Sequence, residues 1–175
     1  MELWDILSED GTPTGKTVER GSQFSAGEYH LVVHIWPVAP SGAVLIQRRS
    51  RNKKLMPGEW AATGGAAITG ESSYLAAKRE LYEELGIDAD NLILLKRIKK
   101  HNSLVDVYGL KCRVNTADLK LQKSEVADAK WVSLETLYKM IDTGEYHNYG
   151  KEYFNIVADF SNACKGESNE LVSRR

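Results

Sequence analysis

The stretch from Gly65 to Ile87, GAAITGESSYLAAKRELYEELGI, decides how this chain is read. Its second half has the punctuation of a helix. Ser72 stands where an N-cap serine accepts a hydrogen bond from the first turn, and Gly86 where a left-handed residue ends a helix. The spacing predicts a helix over Ser72–Leu85 with Leu75, Ala76, Leu81 and Leu85 as its apolar face. Within that helix Glu80, Glu83 and Glu84 crowd into one turn beside Arg79. Residues three and four apart share a face, so these carboxylates repel one another. A solvated charged face normally alternates sign, and here only Lys78 and Arg79 stand near the acids. A divalent cation removes the repulsion, because hard cations take carboxylate oxygens.

Working outward, Leu3–Leu7 and Lys16–Arg20 read as a hairpin around EDGTPTG. Tyr29–Val38 is rich in β-branched and aromatic residues and reads as a buried strand. Ala43–Arg49 is its partner across the turn at Ala39-Pro40-Ser41-Gly42, and Asn52–Trp60 is a loop. Leu92–Ile98 and Leu104–Val114 read as antiparallel neighbours, and Ala129–Val132 as a short strand. Leu134–Ile141 and Tyr149–Ala163 read as helices. The 166–175 tail is polar and is expected to fray. With no repeat or linker, the chain is expected to form one domain over residues 1–165, carrying an N-terminal β-hairpin. The alternation of elements predicts an α/β fold, an α/β/α sandwich with a mixed β-sheet.

Composition narrows the function classes. At 175 residues, with 42% apolar and 27% charged residues, the chain is globular rather than disordered. A formal net charge of -1 supplies no global basic field, so no nucleic-acid partner is expected. A local basic patch does occur at Arg48, Arg49, Arg51, Lys53 and Lys54, and another runs from Lys96 to Lys100. Cys112 and Cys164 make neither a disulfide framework nor a zinc site and suit a reducing compartment. The segment MELWDILSED lacks the basic and apolar regions of a signal peptide. No run approaches the roughly 20 apolar residues that span a bilayer. These readings predict a soluble, cytoplasmic protein with no membrane partner.

The decisive stretch resembles the Nudix box. That motif is a glycine, five residues, a glutamate, seven residues, then Arg-Glu-apolar-x-Glu-Glu-x-Gly-apolar. Gly65, Glu71, Arg79, Glu80, Leu81, Glu83, Glu84, Gly86 and Ile87 fill every place. The resemblance implies a Nudix-type sandwich and a Nudix hydrolase. The implied reaction is metal-dependent hydrolysis of a diphosphate linkage, in a nucleoside diphosphate linked to another moiety or a related organic diphosphate. Mg2+ is the implied ion, with Mn2+ as a substitute, and the partner is a small-molecule diphosphate. Glu80 and Glu84, four apart, are the implied metal ligands, with the Gly64 carbonyl completing the shell. Glu83 is a second-ion ligand or the catalytic base. Arg79 braces the carboxylates, and Glu71 is structural and pairs with Arg79. Glu125, ahead of Lys130-Trp131-Val132, is the first candidate for a base outside the box and Asp128 the second. Dimers are common among similar proteins, which leaves a homodimer open.

The flanking order, DILSEDGTPTG, YHLVVHIW, VLIQRRS and PGEWAATGG, resembles type I isopentenyl diphosphate isomerases and the hydrolases similar to them. Those isomerases need a cysteine and a metal-binding histidine just before the box helix. This chain has Gly64 and Ala66 near those places, and neither can ligate metal through a side chain or protonate an alkene. They also use a glutamate on a later strand, where Asp106 stands here. His30 matches an isomerase metal histidine loosely. The expectation is therefore a hydrolase, with isopentenyl-diphosphate isomerase and a non-catalytic nucleotide-binding sensor as the alternatives. Arg48 and Arg49 end a strand on opposite faces, so at most one faces substrate as a phosphate clamp. Trp36, Trp60 and Tyr108 can stack on a base or an isoprenoid, with core packing the favoured role for Trp36 and for Trp131.

Overall fold

The computed structural model describes residues 2–165; the reading of the 166–175 tail falls outside the described residues. The chain opens with an antiparallel hairpin of β1 (Leu3–Leu7) and β2 (Pro13–Glu19). Next come β3 (His30–Val38) and β4 (Val44–Arg49), antiparallel but in register only at Val38↔Val44. Beyond that pair the two strands part. β5 (Trp60–Ala61) adds to β4, and β6 (Thr63–Ala66) adds to β3 through Val32↔Ala66 to Ile35↔Thr63. The single residue Ala62 therefore crosses the gap.

Helix α1 (Ser73–Leu85) follows, then β7 (Ile93–Lys99) and β8 (Ser103–Lys111), paired antiparallel. β8 also runs parallel to β3 from His30↔Ser103 to Val38↔Lys111. A 3-10 turn at Thr116–Asp118 leads to β9 (Val126–Val132), which pairs with β4. Helices α2 (Leu134–Asp142) and α3 (Lys151–Cys164) complete the described chain. The main sheet runs β5-β4-β3-β8-β7, with β6 on β3 and β9 on β4.

Strand alternation divides the interior into two cores. Val44 and Ile46 join Trp36 and Val38 on one face, under Leu137 and Met140 of α2 and Tyr153, Phe154 and Val157 of α3. Leu45 joins Val33 and Ile35 on the other, under Ala76, Ala77, Leu81 and Leu85 of α1. The result is the expected α/β/α sandwich with a mixed sheet. Leu7, Tyr29 and Leu104 form a small third cluster that docks the hairpin.

Several readings shift at the edges. Ser72 caps α1 from outside, its side chain accepting from Leu75 N at 3.3 Å. Leu75 does not belong to the apolar face; it is 56% exposed, and Ala77 takes its place. β2 begins earlier than Lys16, β8 ends at Lys111, and Tyr149 precedes α3 rather than starting it. β5 and β6 have no alternating apolar pattern to betray them. They are short, and β6 carries two glycines.

Gly86 ends α1 at φ 71°, its N–H donating to Tyr82 O at 2.8 Å. A Cβ there would lie 2.7 Å from Lys120 Cβ. Gly86→Ala is expected to cost about 1–2 kcal/mol for the left-handed backbone alone. A urea titration comparing midpoints at unchanged slope measures it.

Candidate active site

The elements that flank the gap share one polar cavity of about 210 Å³. β4 contributes Arg49, β6 contributes Gly64 and Gly65, and α1 contributes Arg79, Glu80, Glu83 and Glu84. Lys53 and Glu125 add to the wall, and the N-terminal hairpin adds Glu2 and Arg20.

Glu84 lies on the buried stripe of α1, one turn beyond Leu81 and two beyond Ala77, and is 3% exposed. Its carboxylate accepts from Gly64 N at 3.0 Å and from Gln47 Nε2 at 2.6 Å. Burial first, and the neighbouring Glu80 second, push Glu84 up to about 8. Glu80 is raised too, mainly by burial, with Arg79 opposing.

Two glycines make this approach feasible. Gly64 has φ 151°, and a Cβ on it would sit 2.0 Å from Val33 O. A Cβ on Gly65 would sit 2.4 Å from Glu80 Oε1, so the bare backbone is what lets that carboxylate in.

Arg79 ties the acids together. Its Nε and Nη2 donate to the two oxygens of Glu71, both at 2.9 Å. Nη1 donates to Glu80 at 2.8 Å and to Glu83 at 3.2 Å, and Nη2 also reaches Ala66 O at 3.1 Å. The fork thus links the loop ahead of α1 to its carboxylates, as a bidentate guanidinium can and an ammonium cannot. Glu83 is the most exposed of the three acids, and Arg79 is its one hydrogen-bond partner among the described residues. As placed, no three His, Cys, Asp or Glu side chains among the described residues are gathered closely enough to hold a metal ion. Arg79 and Gln47 hold the carboxylates instead. The donor set still suits a hard cation: oxygen ligands, two of them with ionised forms disfavoured by burial and mutual repulsion.

The other expected site residues divide clearly. Glu125 lies in the cavity and is ion-paired with Lys53. Asp128 does not; it faces Arg48 across the β4–β9 ladder, on the side of α2 and α3. The expectation for Arg48 needs correction. Alternation carries it to that same side, where its Nε donates to Gly58 O at 3.0 Å, while Arg49 lines the cavity. Asp106 is fully buried and bound by Arg97 at 2.6 and 2.8 Å, with Ser73 as a third partner. His30 lies flat against Trp4, ring centroids 4.4 Å apart, and its Nδ1 meets Asn102 O. Neither belongs to the cavity. Trp36 packs in the core as expected, and so do Trp60 and Tyr108. Sequence reasoning missed Gln47, although a polar residue ending Val44-Leu45-Ile46 was a visible signal. It also missed Glu2 and Arg20, ion-paired at 2.9 Å, which no motif marked.

The chain belongs to the Nudix family: residues 28–152 match the NUDIX domain model. It is a Nudix hydrolase, an assignment that its curated relatives support. An uncharacterized Nudix hydrolase of Listeria monocytogenes is 40% identical over 166 residues, covering 93% of this chain and 97% of that one. An isopentenyl-diphosphate Delta-isomerase of Citrobacter koseri is 29% identical over 152 residues, covering 81% and 82%. A crystal structure from Deinococcus radiodurans matches with a TM-score of 0.72 at 25% identity, covering 93% of this chain and 99% of that one. The family acts on small molecules, in general nucleoside diphosphate derivatives, and generally uses divalent metal ions, usually Mg2+. No helix among the described residues is long and apolar enough to cross a membrane.

The raised Glu84 carries a pH signature. An acid held above its unfolded value binds more protons folded than unfolded, so it stabilises the metal-free protein at low pH. That contribution is lost as pH rises from the unfolded value of 4.5 through about 8. Thermal melts of metal-free protein are expected to show this downward slope, and Glu84→Gln to flatten it.

Proposed function

We propose that this enzyme hydrolyses the diphosphate of a nucleoside diphosphate derivative or related organic diphosphate, with Mg2+ held by Glu80 and Glu84. The observation that carries the reading is the buried Glu84 carboxylate beside Glu80, in a cavity that also holds Arg49. Two acids driven together and away from water call for a cation of high charge density. Glu83, the more exposed acid, completes the shell or serves as base, and the Gly64 carbonyl is the proposed main-chain ligand. Mn2+ fits the same donors. When bound, the ion neutralises the diphosphate and lowers the pKa of the attacking water.

The chain's own groups do the rest. Arg79 keeps Glu80 and Glu83 in place and holds the preceding loop to the helix. Arg49, the β4 arginine that lines the cavity, clamps a phosphate oxygen. Glu125 is our candidate for the group that takes the water's proton. Its ion pair with Lys53 fixes the direction of its carboxylate. The backbone at Glu125 is fixed as well, its carbonyl accepting from Ser50 N at 2.8 Å. Isomerisation of isopentenyl diphosphate is disfavoured, because Gly64, Gly65 and Ala66 line the cavity without an acidic or thiol side chain. We take the organism's cytoplasm as the place of action and residues 1–165 as the catalytic unit.

Glu84→Gln keeps the hydrogen-bonding shape and removes the charge. With Mg2+ and a panel of nucleoside diphosphate derivatives, it is expected to lower kcat/KM at least about 100-fold, roughly 2.7 kcal/mol of transition-state stabilisation. A wild-type enzyme that releases no product from any panel member with Mg2+ or Mn2+ would refute the reading. Glu125→Gln is expected to lower kcat about 100-fold with the Mg2+ concentration for half-maximal rate unchanged, and Glu83→Gln to raise that concentration, which separates base from ligand.

A further inference from the structure

The gap between β5 and β6 has a second wall, opposite the carboxylates. Trp60 N donates to Glu145 O at 3.1 Å and His147 N donates to Trp60 O at 2.9 Å, so residues 145–147 are zipped beside β5. This brings Tyr149 against Ala62, whose N–H donates to the Tyr149 hydroxyl at 3.4 Å. Lys100 Nζ holds the Tyr149 carbonyl at 2.9 Å. The Ala62 carbonyl in turn accepts from Gln47, the side chain that grips Glu84. Beside the Tyr149 ring stands His34, with centroids 4.9 Å apart. His34 is the register partner of Gly64, which donates its N–H to Glu84. The His34–Tyr149 pair thus adjoins the carboxylate cavity through Gly64 and Ala62.

Neighbouring groups fix the His34 proton. Trp36 Nε1 can only donate, and it does so to Tyr153 Oη at 2.7 Å. The buried Tyr153 hydroxyl needs an acceptor, and His34 Nδ1 lies 2.9 Å away. A buried hydroxyl left without one is costly, so Nδ1 accepts and the ring proton sits on Nε2. Burial, reinforced by His147, Lys100 and Arg49, lowers His34 to about 4, which keeps the ring neutral. Among the described residues Nε2–H has no acceptor, and neither has the Tyr149 hydroxyl proton.

Building on the diphosphatase reading above, we propose that His34 and Tyr149 form the subsite for the organic group of the substrate. His34 Nε2–H and the Tyr149 hydroxyl donate there to oxygen or ring-nitrogen acceptors of a sugar or base. A prenyl chain offers no such acceptor and would leave both donors unpaired. The subsite therefore selects an acceptor-bearing diphosphate, of the nucleoside or sugar kind, over an isoprenoid one.

Three variants test this. His34→Asn keeps an acceptor for Tyr153 and loses the distal donor. His34→Gln places a donor near the Nε2 position, and Tyr149→Phe removes one hydroxyl. With ADP-ribose as substrate, His34→Asn and Tyr149→Phe are expected to raise KM about 10-fold or more with kcat within about threefold, and His34→Gln to recover most of the loss. With isopentenyl diphosphate the same variants are expected to leave KM unchanged. An equal rise for both substrates would assign the donors to phosphate and overturn the proposal, and so would no rise with ADP-ribose. Long-range 1H–15N NMR of the wild type reads the tautomer without turnover: Nε2–H supports the proposal and Nδ1–H overturns it. If ADP-ribose is not hydrolysed, its titration decides. A shift of the His34 Nε2 signal with ADP-ribose but not with isopentenyl diphosphate supports the subsite; equal shifts, or none, overturn it. Failure of the diphosphatase reading shows separately, as no turnover of any panel member.

Discussion

The burial of one carboxylate governs this molecule. Glu84 occupies a place on the α1 stripe that a leucine would fill in an ordinary helix. Taking a carboxylate out of water is costly unless its oxygens are bonded and its charge is met. The fold answers the first need with Gln47 from β4 and Gly64 N–H from β6. Both donors come from strands on either side of the sheet's gap, so the helix, the two halves of the sheet and the site are fixed by the same few bonds. The unmet charge, with Glu80 beside it, is what makes the cavity a place for a cation.

The parting of β3 and β4 is the second requirement. A continuous hairpin would bring the two strands together along their length and close the cavity. A single register pair at Val38↔Val44 keeps them joined at one end only. The segment 60–66 then fills each inner edge in turn, so backbone groups are paired while the space between stays open. Gly64 and Gly65 are needed there because the strand runs so close to Val33 and Glu80 that no side chain fits.

Much of this was legible in the sequence, and the failures have physical causes. The cap at Ser72, the stop at Gly86 and the cluster of acids are local signals, and they located α1 within one residue. The long strands declared themselves by β-branched and aromatic content. β5 and β6 did not, because they depend on partners distant in sequence rather than on their own pattern. Leu75 looked apolar-facing because spacing alone does not say where a stripe ends. Arg48 and Arg49 could be put on opposite faces from alternation, but which one met the cavity depended on where α1 lay. Trp60 and Tyr108 could be read as ligand platforms or as core, and only packing decided between them; Tyr149, read as the start of a helix, gave no local signal of its place against Ala62.

The N-terminal hairpin lies outside the residues that match the family's domain, yet it is bonded to the loop of the box itself. Thr69 N donates to Leu3 O, and Gly70 N donates to Asp5. Through Glu2 and Arg20 it also forms part of the cavity wall. The loop that carries Glu71 is thereby anchored from outside the family's domain, so a change in the hairpin can shift that loop while every residue of the box stays as it is.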